Sequence, residues 1–230
     1  MPMPRILFAA TIFAGLISCS SEEQARPDLG KVMLAMVKER LKGKNVETAN
    51  ASQVPPPAAR EKMQALGRPV VFISVPRFGT GVVAVELADN DRYHTYMGAD
   101  QTTITLRDGI ITSTRGLAVD LIAQELSISS LSLFLEKEPK SYIKIQRHLT
   151  GESTLVTYEY NCAVAPLPEL ETIKIFNKIH TVQKFIELCR RNGRAFQNDY
   201  WVGQSDGIVW KSNQSISKEV GHVTFQRVIR

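Results

Sequence analysis

Apolar and polar positions change period along this chain, and the changes divide it. Ile6 to Ile17 is a nearly continuous apolar run, and Ser20 to Pro27 is polar. Val32, Met33, Met36, Val37 and Leu41 then follow the 3.6-residue helical period, with Asp28 placed to cap the helix and Gly43 near its end. Lys44 to Pro57, containing Asn50-Ala51-Ser52 and Pro55-Pro56-Pro57, reads as linker. Ala58 to Leu66 predicts a second short helix stopped by Gly67.

Beyond Gly67 the pattern becomes that of strands. Val70 to Val75 and Gly81 to Leu87 are apolar and β-branched, and Tyr93 to Met97 follows. Thr102 to Arg107 and Ile110 to Thr114 flank Asp108-Gly109, the dipeptide whose tolerance of positive φ suits a two-residue hairpin turn. Tyr142 to Leu149 and Leu155 to Ala163 predict another pair around Thr150-Gly151-Glu152. After Pro166 and Pro168, further strands are expected around Ile173, around Trp201, at Ile208 to Lys211 and at Val223 to Val228. Thr181 to Cys189 fits either period: Val182, Phe185, Ile186 and Cys189 share one helical face, whereas the surrounding strands argue for an extended segment. Sequential strands without long intervening helices predict a mainly antiparallel β domain, a sandwich or barrel-like body, preceded by one or two N-terminal helices. The implied division is a signal segment over residues 1–18, a lipidated N terminus with helix and linker over 19–57, and the β domain over 58–230.

The apolar N-terminal run carries the first chemical signal. Arg5 supplies the positive charge, Ile6 to Ile17 the core, and Leu16-Ile17-Ser18-Cys19 the pattern of a bacterial lipoprotein cleavage site. Cleavage would leave Cys19 first in the mature chain, acylated on sulfur and nitrogen and so bound to membrane lipid. A spanning helix needs about 20 apolar residues, and this run is cut short by Ser18 to Glu23. An ordinary secretory signal with a chance cysteine is the alternative. Two or more acyl chains hold a protein stably on a membrane. Ser20, in place of the aspartate that signals inner-membrane retention, favours the outer membrane and its periplasmic face.

That address changes how composition is read. The apolar fraction is 43% and the charged fraction 22%, which is ordinary globular usage. The net charge of +5 is spread along the chain, with only Arg190, Arg191 and Arg194 clustering. A nucleic-acid partner is excluded by compartment more than by charge. With Cys19 committed to lipid, Cys162 and Cys189 remain as an even pair in an oxidising compartment, which suggests a disulfide; two buried free thiols are the alternative.

Candidate chemistry is sparse. His94, His148, His180 and His222 are scattered without metal-ligand spacing, and no GxSxG elbow marks a nucleophile. Glu86, Asp89, Asp91, Asp120 and Glu125 include no pair whose spacing singles out an acid and a base. The expectation is a protein that is not an enzyme, with no cofactor and no metal. Two blocks are more distinctive. In the first, Leu106 to Leu121, a hairpin runs into Gly116, and Arg115 and Asp120 could pair across the bend; a structural role is preferred, with ligand contact as the alternative. In the second, Asn198, Tyr200 and Trp201 precede a Ser205-Asp206-Gly207 turn, and Trp210 and Gln214 follow it. Aromatic faces beside amides suit sugar rings, but both tryptophans also suit the core of a hairpin.

With the lipobox and the two late cysteines, these blocks resemble the YjbF/GfcB lipoproteins of Gram-negative bacteria. The shared features are Arg107-Asp108-Gly109-Ile110-Ile111, Thr114-Arg115-Gly116-Leu117, Asp120-Leu121, Asn198-x-Tyr200-Trp201-Val202, and Gly207-Ile208-Val209-Trp210-x-Ser212-x-Gln214. The resemblance spans roughly residues 60 to 228. It implies a non-enzymatic lipoprotein that assists production or export of an extracellular, capsular polysaccharide; the alternatives are a polysaccharide-modifying enzyme of the periplasm and a structural envelope lipoprotein. The partners it implies are the polysaccharide and outer-membrane export proteins. Arg115, Asp120, Asn198, Tyr200, Trp201, Trp210 and Gln214 are then the candidate glycan or partner contacts. The resemblance also tips Thr181 to Cys189 toward strand. Two departures are Ala118, where a second glycine is usual, and Ser217-Lys218, where a proline is usual.

Overall fold

The computed structural model describes residues 58–230. Cys19, the apolar run before it and the Asp28-capped helix lie outside the described residues. The chain from Ala58 forms α1 (Ala58–Gln64), β1 (Val70–Val75), β2 (Thr80–Asn90), β3 (Tyr93–Gly98), β4 (Thr103–Arg107), β5 (Ile110–Arg115) and β6 (Asp120–Leu126). It continues with the one-turn α2 (Ser132–Leu135), then β7 (Lys140–Leu149), β8 (Leu155–Ile175), β9 (Lys178–Arg191), β10 (Arg194–Gly203), β11 (Val209–Ser217) and β12 (Gly221–Ile229). Gly67, at φ +62°, stands just past the end of α1, as the sequence predicts for a helix stop.

All the strands join one 12-stranded sheet in the order β5-β4-β3-β2-β1-β12-β11-β10-β9-β8-β7-β6. Every ladder is antiparallel and, apart from β1 with β12, pairs neighbours in sequence. The two edge strands, β5 and β6, are consecutive and lie side by side across the bend at Gly116 to Val119, so the sheet curls into a nearly closed barrel. The barrel-like alternative of the sequence reading is therefore the one adopted, and it leaves only one short seam of unpaired edge.

Alternation fills the interior. Val71, Ile73, Ala84, Tyr96, Ile104, Leu106, Leu121, Phe185, Tyr200, Val223 and Phe225 point inward and are buried in one cluster. In β1 both faces are buried because Phe72 packs outward against Phe176, with centroids 6.0 Å apart, and Met63 of α1 is buried as well. That double burial accounts for the continuous apolar run at Val70 to Val75, which alternation alone would not produce.

Three differences from the sequence reading have local causes. Pro166 and Pro168 do not separate two strands: β8 continues through them to Ile175, with a register shift between Pro166 and Leu170. Proline has no N–H to give a ladder, and a bulge is where a strand tolerates it. The Gln183 side-chain amide donates to the Leu167 carbonyl inside that bulge. Asp120 to Leu126 is a strand that the pattern hid, because only Leu121 of its residues is fully buried. Ala118 needs no glycine, since positive φ in the bend falls on Gly116, at +90°.

Candidate functional site

Cys162 and Cys189 sit directly opposite each other on β8 and β9 and form a disulfide. Thr181 to Cys189 is extended, as part of β9. Two residues before Cys189 on the same inward face, Glu187 is fully buried. Its Oε1 lies 2.6 Å from the ammonium of Lys144, which is itself only 1% exposed, and accepts the hydroxyl of Tyr142. Its Oε2 accepts Asn198 Nδ2 at 2.5 Å and the Tyr200 hydroxyl at 2.9 Å. Burial pushes the Glu187 carboxyl up, but the Lys144 ammonium and the hydrogen bonds from Lys144, Tyr142 and Asn198 outweigh it and hold the group below the usual carboxylate range. The same burial, with the neighbouring Glu187 charge, raises the pKa of both the Tyr142 and the Tyr200 hydroxyl.

The network extends to the first sequence block. Gln214 Nε2 donates to Gly109 O at 2.9 Å and to Ser212 Oγ at 2.8 Å, and its Oε1 accepts Ile111 N at 3.0 Å. One amide thus ties β11 to the β4–β5 hairpin across the barrel. Asn198 Oδ1 accepts Ser215 N at 2.7 Å. Asn198, Tyr200 and Gln214, read from the sequence as glycan or partner contacts, are therefore inside the barrel, each at most 2% exposed, with their polar groups engaged. Their chemistry in this structure is to hold strands together. Sequence reasoning missed their hub, Glu187, because nothing local shows that Lys144, on another strand, meets it.

The tryptophans part company. Trp210 is buried, its ring 3.8 Å from that of His180, and its Nε1 donates to Asp206 Oδ2 at 3.2 Å. Gly203 permits this, because a Cβ there would lie 2.0 Å from Asp206 Oδ1. Trp201 faces outward, half-buried, and donates from Nε1 to Glu171 at 2.8 Å. Its cross-strand neighbours Lys184 and Lys211 place their ammonium groups 4.9 and 4.5 Å from the ring. Two ammonium groups thus flank an indole that stays half-exposed. Burial, and then the Lys184 charge, lower the Lys211 pKa.

The ion pair suggested between Arg115 and Asp120 is replaced by something more local. Asp120 accepts Gly116 N, Leu117 N and Thr114 Oγ1 at 3.0–3.1 Å, while the Arg115 guanidinium donates to the carbonyls of Thr114 and Leu121. Both residues fix the seam between β5 and β6. Among the described residues, one group other than the disulfide pair gathers potential metal ligands: Glu86, Asp89 and His94 have ligand atoms within 4.8 Å of one another. His94 Nδ1 is 2.8 Å from Glu86 Oε1, so two of the three side chains are already hydrogen-bonded to each other within one hairpin. It borders a cavity of about 410 Å³ at the end of the barrel where the chain terminates.

A family model described as group 4 capsule polysaccharide lipoprotein, GfcB or YjbF, matches residues 43–228. The chain belongs to this family. YjbF/GfcB membership makes it a lipoprotein of the capsule polysaccharide group and implies association with a membrane. No curated protein matches the chain. A crystal structure of the hypothetical lipoprotein YmcC from Escherichia coli K12 is similar, with 17% identity and a TM-score of 0.64, covering 82% of this chain and 97% of that one. At that identity the likeness is one of fold, and it places the YjbF/GfcB barrel among solved lipoprotein structures.

Proposed function

We propose that this YjbF/GfcB lipoprotein is a non-enzymatic accessory held at the periplasmic face of the outer membrane by acyl chains on Cys19, where it assists production or export of capsular polysaccharide. The observation that carries the reading is the family match over residues 43–228, joined to the lipobox that ends at Cys19. A non-catalytic role is supported by where the titratable groups lie. Among the described residues, the fully buried cluster around Glu187 and Lys144 has its polar groups engaged with one another inside the barrel, whereas a general acid or base must reach the atom it protonates or deprotonates.

The test is a deletion strain complemented with wild type or Cys19→Ala, scored for surface polysaccharide and for palmitate incorporation. Deletion is expected to lower surface polysaccharide, wild type to restore it, and Cys19→Ala to lose both palmitate and most of the restoration. Undiminished polysaccharide in the deletion strain refutes the role. Palmitate on Cys19→Ala protein refutes the anchor.

A further inference from the structure

The β9–β10 hairpin ends in a concentration of uncompensated positive charge. Asn192-Gly193, with φ of +47° and +74°, makes the turn, and Arg191 and Arg194 face each other across it in register. Like charges directly opposite on neighbouring strands are destabilising. Arg190 adds a third charge, and no ion pair joins any of the three to a carboxylate among the described residues. Beside the turn lies an open hollow of about 700 Å³ whose lining includes the three arginines, Asn161, Asn192 and one acidic residue, Glu159.

The tip is also built in a way that a solvated charge run is not. Arg191 lies 4.7 Å over the Tyr158 ring, which holds its guanidinium in place. Tyr158 continues an aromatic row through Tyr160 to Phe196, with centroid spacings of 6.3 and 5.0 Å. Beneath Tyr158, at 5.6 Å, His148 is 2% exposed and its Nδ1 has no hydrogen-bond partner. An ordered guanidinium, unpaired cations and amides at one rim match a ligand carrying both carboxylates and hydroxyls.

We infer that this rim binds an acidic sugar unit of the polysaccharide, with Arg191 and Arg194 taking its carboxylate and Asn192, in the turn between them, its hydroxyls. Tyr158 is a positioning residue that acts through Arg191. The inference rests on the function proposed above and supplies its ligand class. A glycan is favoured over the headgroups of a membrane by the amides.

Affinity electrophoresis of the full-length lipidated protein in neutral detergent tests it, with polygalacturonate, polyglutamate and dextran as gel additives, and with phosphatidylglycerol vesicles in a parallel flotation assay of the unacylated Cys19→Ala protein. Wild type is expected to be retarded by polygalacturonate, less by polyglutamate and not by dextran. Arg191→Ala/Arg194→Ala should bind roughly tenfold more weakly or worse, since both charge-assisted hydrogen-bond donors to the carboxylate are removed. Lys137→Ala/Lys174→Ala, which removes the same charge from exposed positions elsewhere, should bind as wild type. Tyr158→Leu should lose several-fold for polygalacturonate. Unchanged binding by the arginine double variant, or equal retardation by polyglutamate, overturns the inference, as does binding to the vesicles alone. Near-ultraviolet circular dichroism and an oxidised Cys162–Cys189 pair confirm that each variant is folded. Capsule loss on deletion without polygalacturonate binding removes this site but keeps the proposed function; binding without capsule loss does the reverse.

Discussion

Replacing Glu187 by Gln keeps the shape of the side chain and removes its charge, leaving the Lys144 ammonium without its counter-ion at 1% exposure. Breaking a buried pair from one side costs about 3–5 kcal/mol, because the remaining charge stays desolvated. The amide oxygen can still accept one or two of the donors from Tyr142, Tyr200 and Asn198, but its NH₂ meets further donors where the carboxylate offered a lone pair. For a domain of this size each kcal/mol moves the melting temperature by roughly 2–4 °C, so the shift should be about 6–20 °C downward. Urea unfolding followed by tryptophan fluorescence gives the free energy directly. Lys144→Met should be destabilising as well, and the double variant should cost less than the sum of the two, because it removes both buried charges together. A Glu187→Gln protein within 1 kcal/mol of wild type, or strict additivity in the double variant, would show that this network does not hold the barrel together.

Other consequences follow from the same contacts. The Glu187 carboxyl is held below its ordinary range, so its contribution is complete above the unfolded value near 4.3 and is lost as pH falls through the lower folded value; wild type should lose stability more steeply than Glu187→Gln below about pH 4, as read from urea midpoints. Cys162→Ser/Cys189→Ser opens a cross-link between positions 27 apart, and the chain-entropy model puts the loss at about 3–4 kcal/mol, measurable as a lower melting temperature that reductant reproduces in wild type. Gly109→Ala combines φ of +86° with a Cβ only 2.3 Å from Val209 Cβ and should cost about 2–5 kcal/mol, whereas Gly151→Ala, with nothing within 4 Å and no positive φ, should stay within about 0.5 kcal/mol in the same assay.

Legibility in the sequence followed the range of the interaction. The Asp108-Gly109 hairpin was readable because a two-residue turn with positive φ at both positions is a local demand that few residues meet. Thr181 to Cys189 was not settled by its own apolar spacing, which satisfied a helix and a strand equally; the surrounding strands and the family resemblance pointed to a strand, and pairing with β8 and β10 on both sides makes it one. Asn198, Tyr200 and Gln214 were conspicuous as polar and aromatic residues, yet a side chain that could face a ligand looks the same in sequence as one that satisfies a buried carboxylate. Arg190, Arg191 and Arg194 stood out as the only charge cluster, but their lack of counter-ions is a property of three-dimensional neighbours.

By itself, then, the chain determined the period of its strands, the places where turns need glycine, the lipobox at Cys19 and the even cysteine pair, because each depends on residues a few positions apart or on a count. Only the tertiary structure decided that the sheet curls until β5 meets β6, and that Glu187 and Lys144 share one buried pocket. It alone buried Trp210 against His180, left Trp201 half-buried on the outer face, and left the Arg191–Arg194 rim open. Those outcomes depend on which strands become neighbours across long separations, and inward or outward facing becomes defined only once the barrel has an inside.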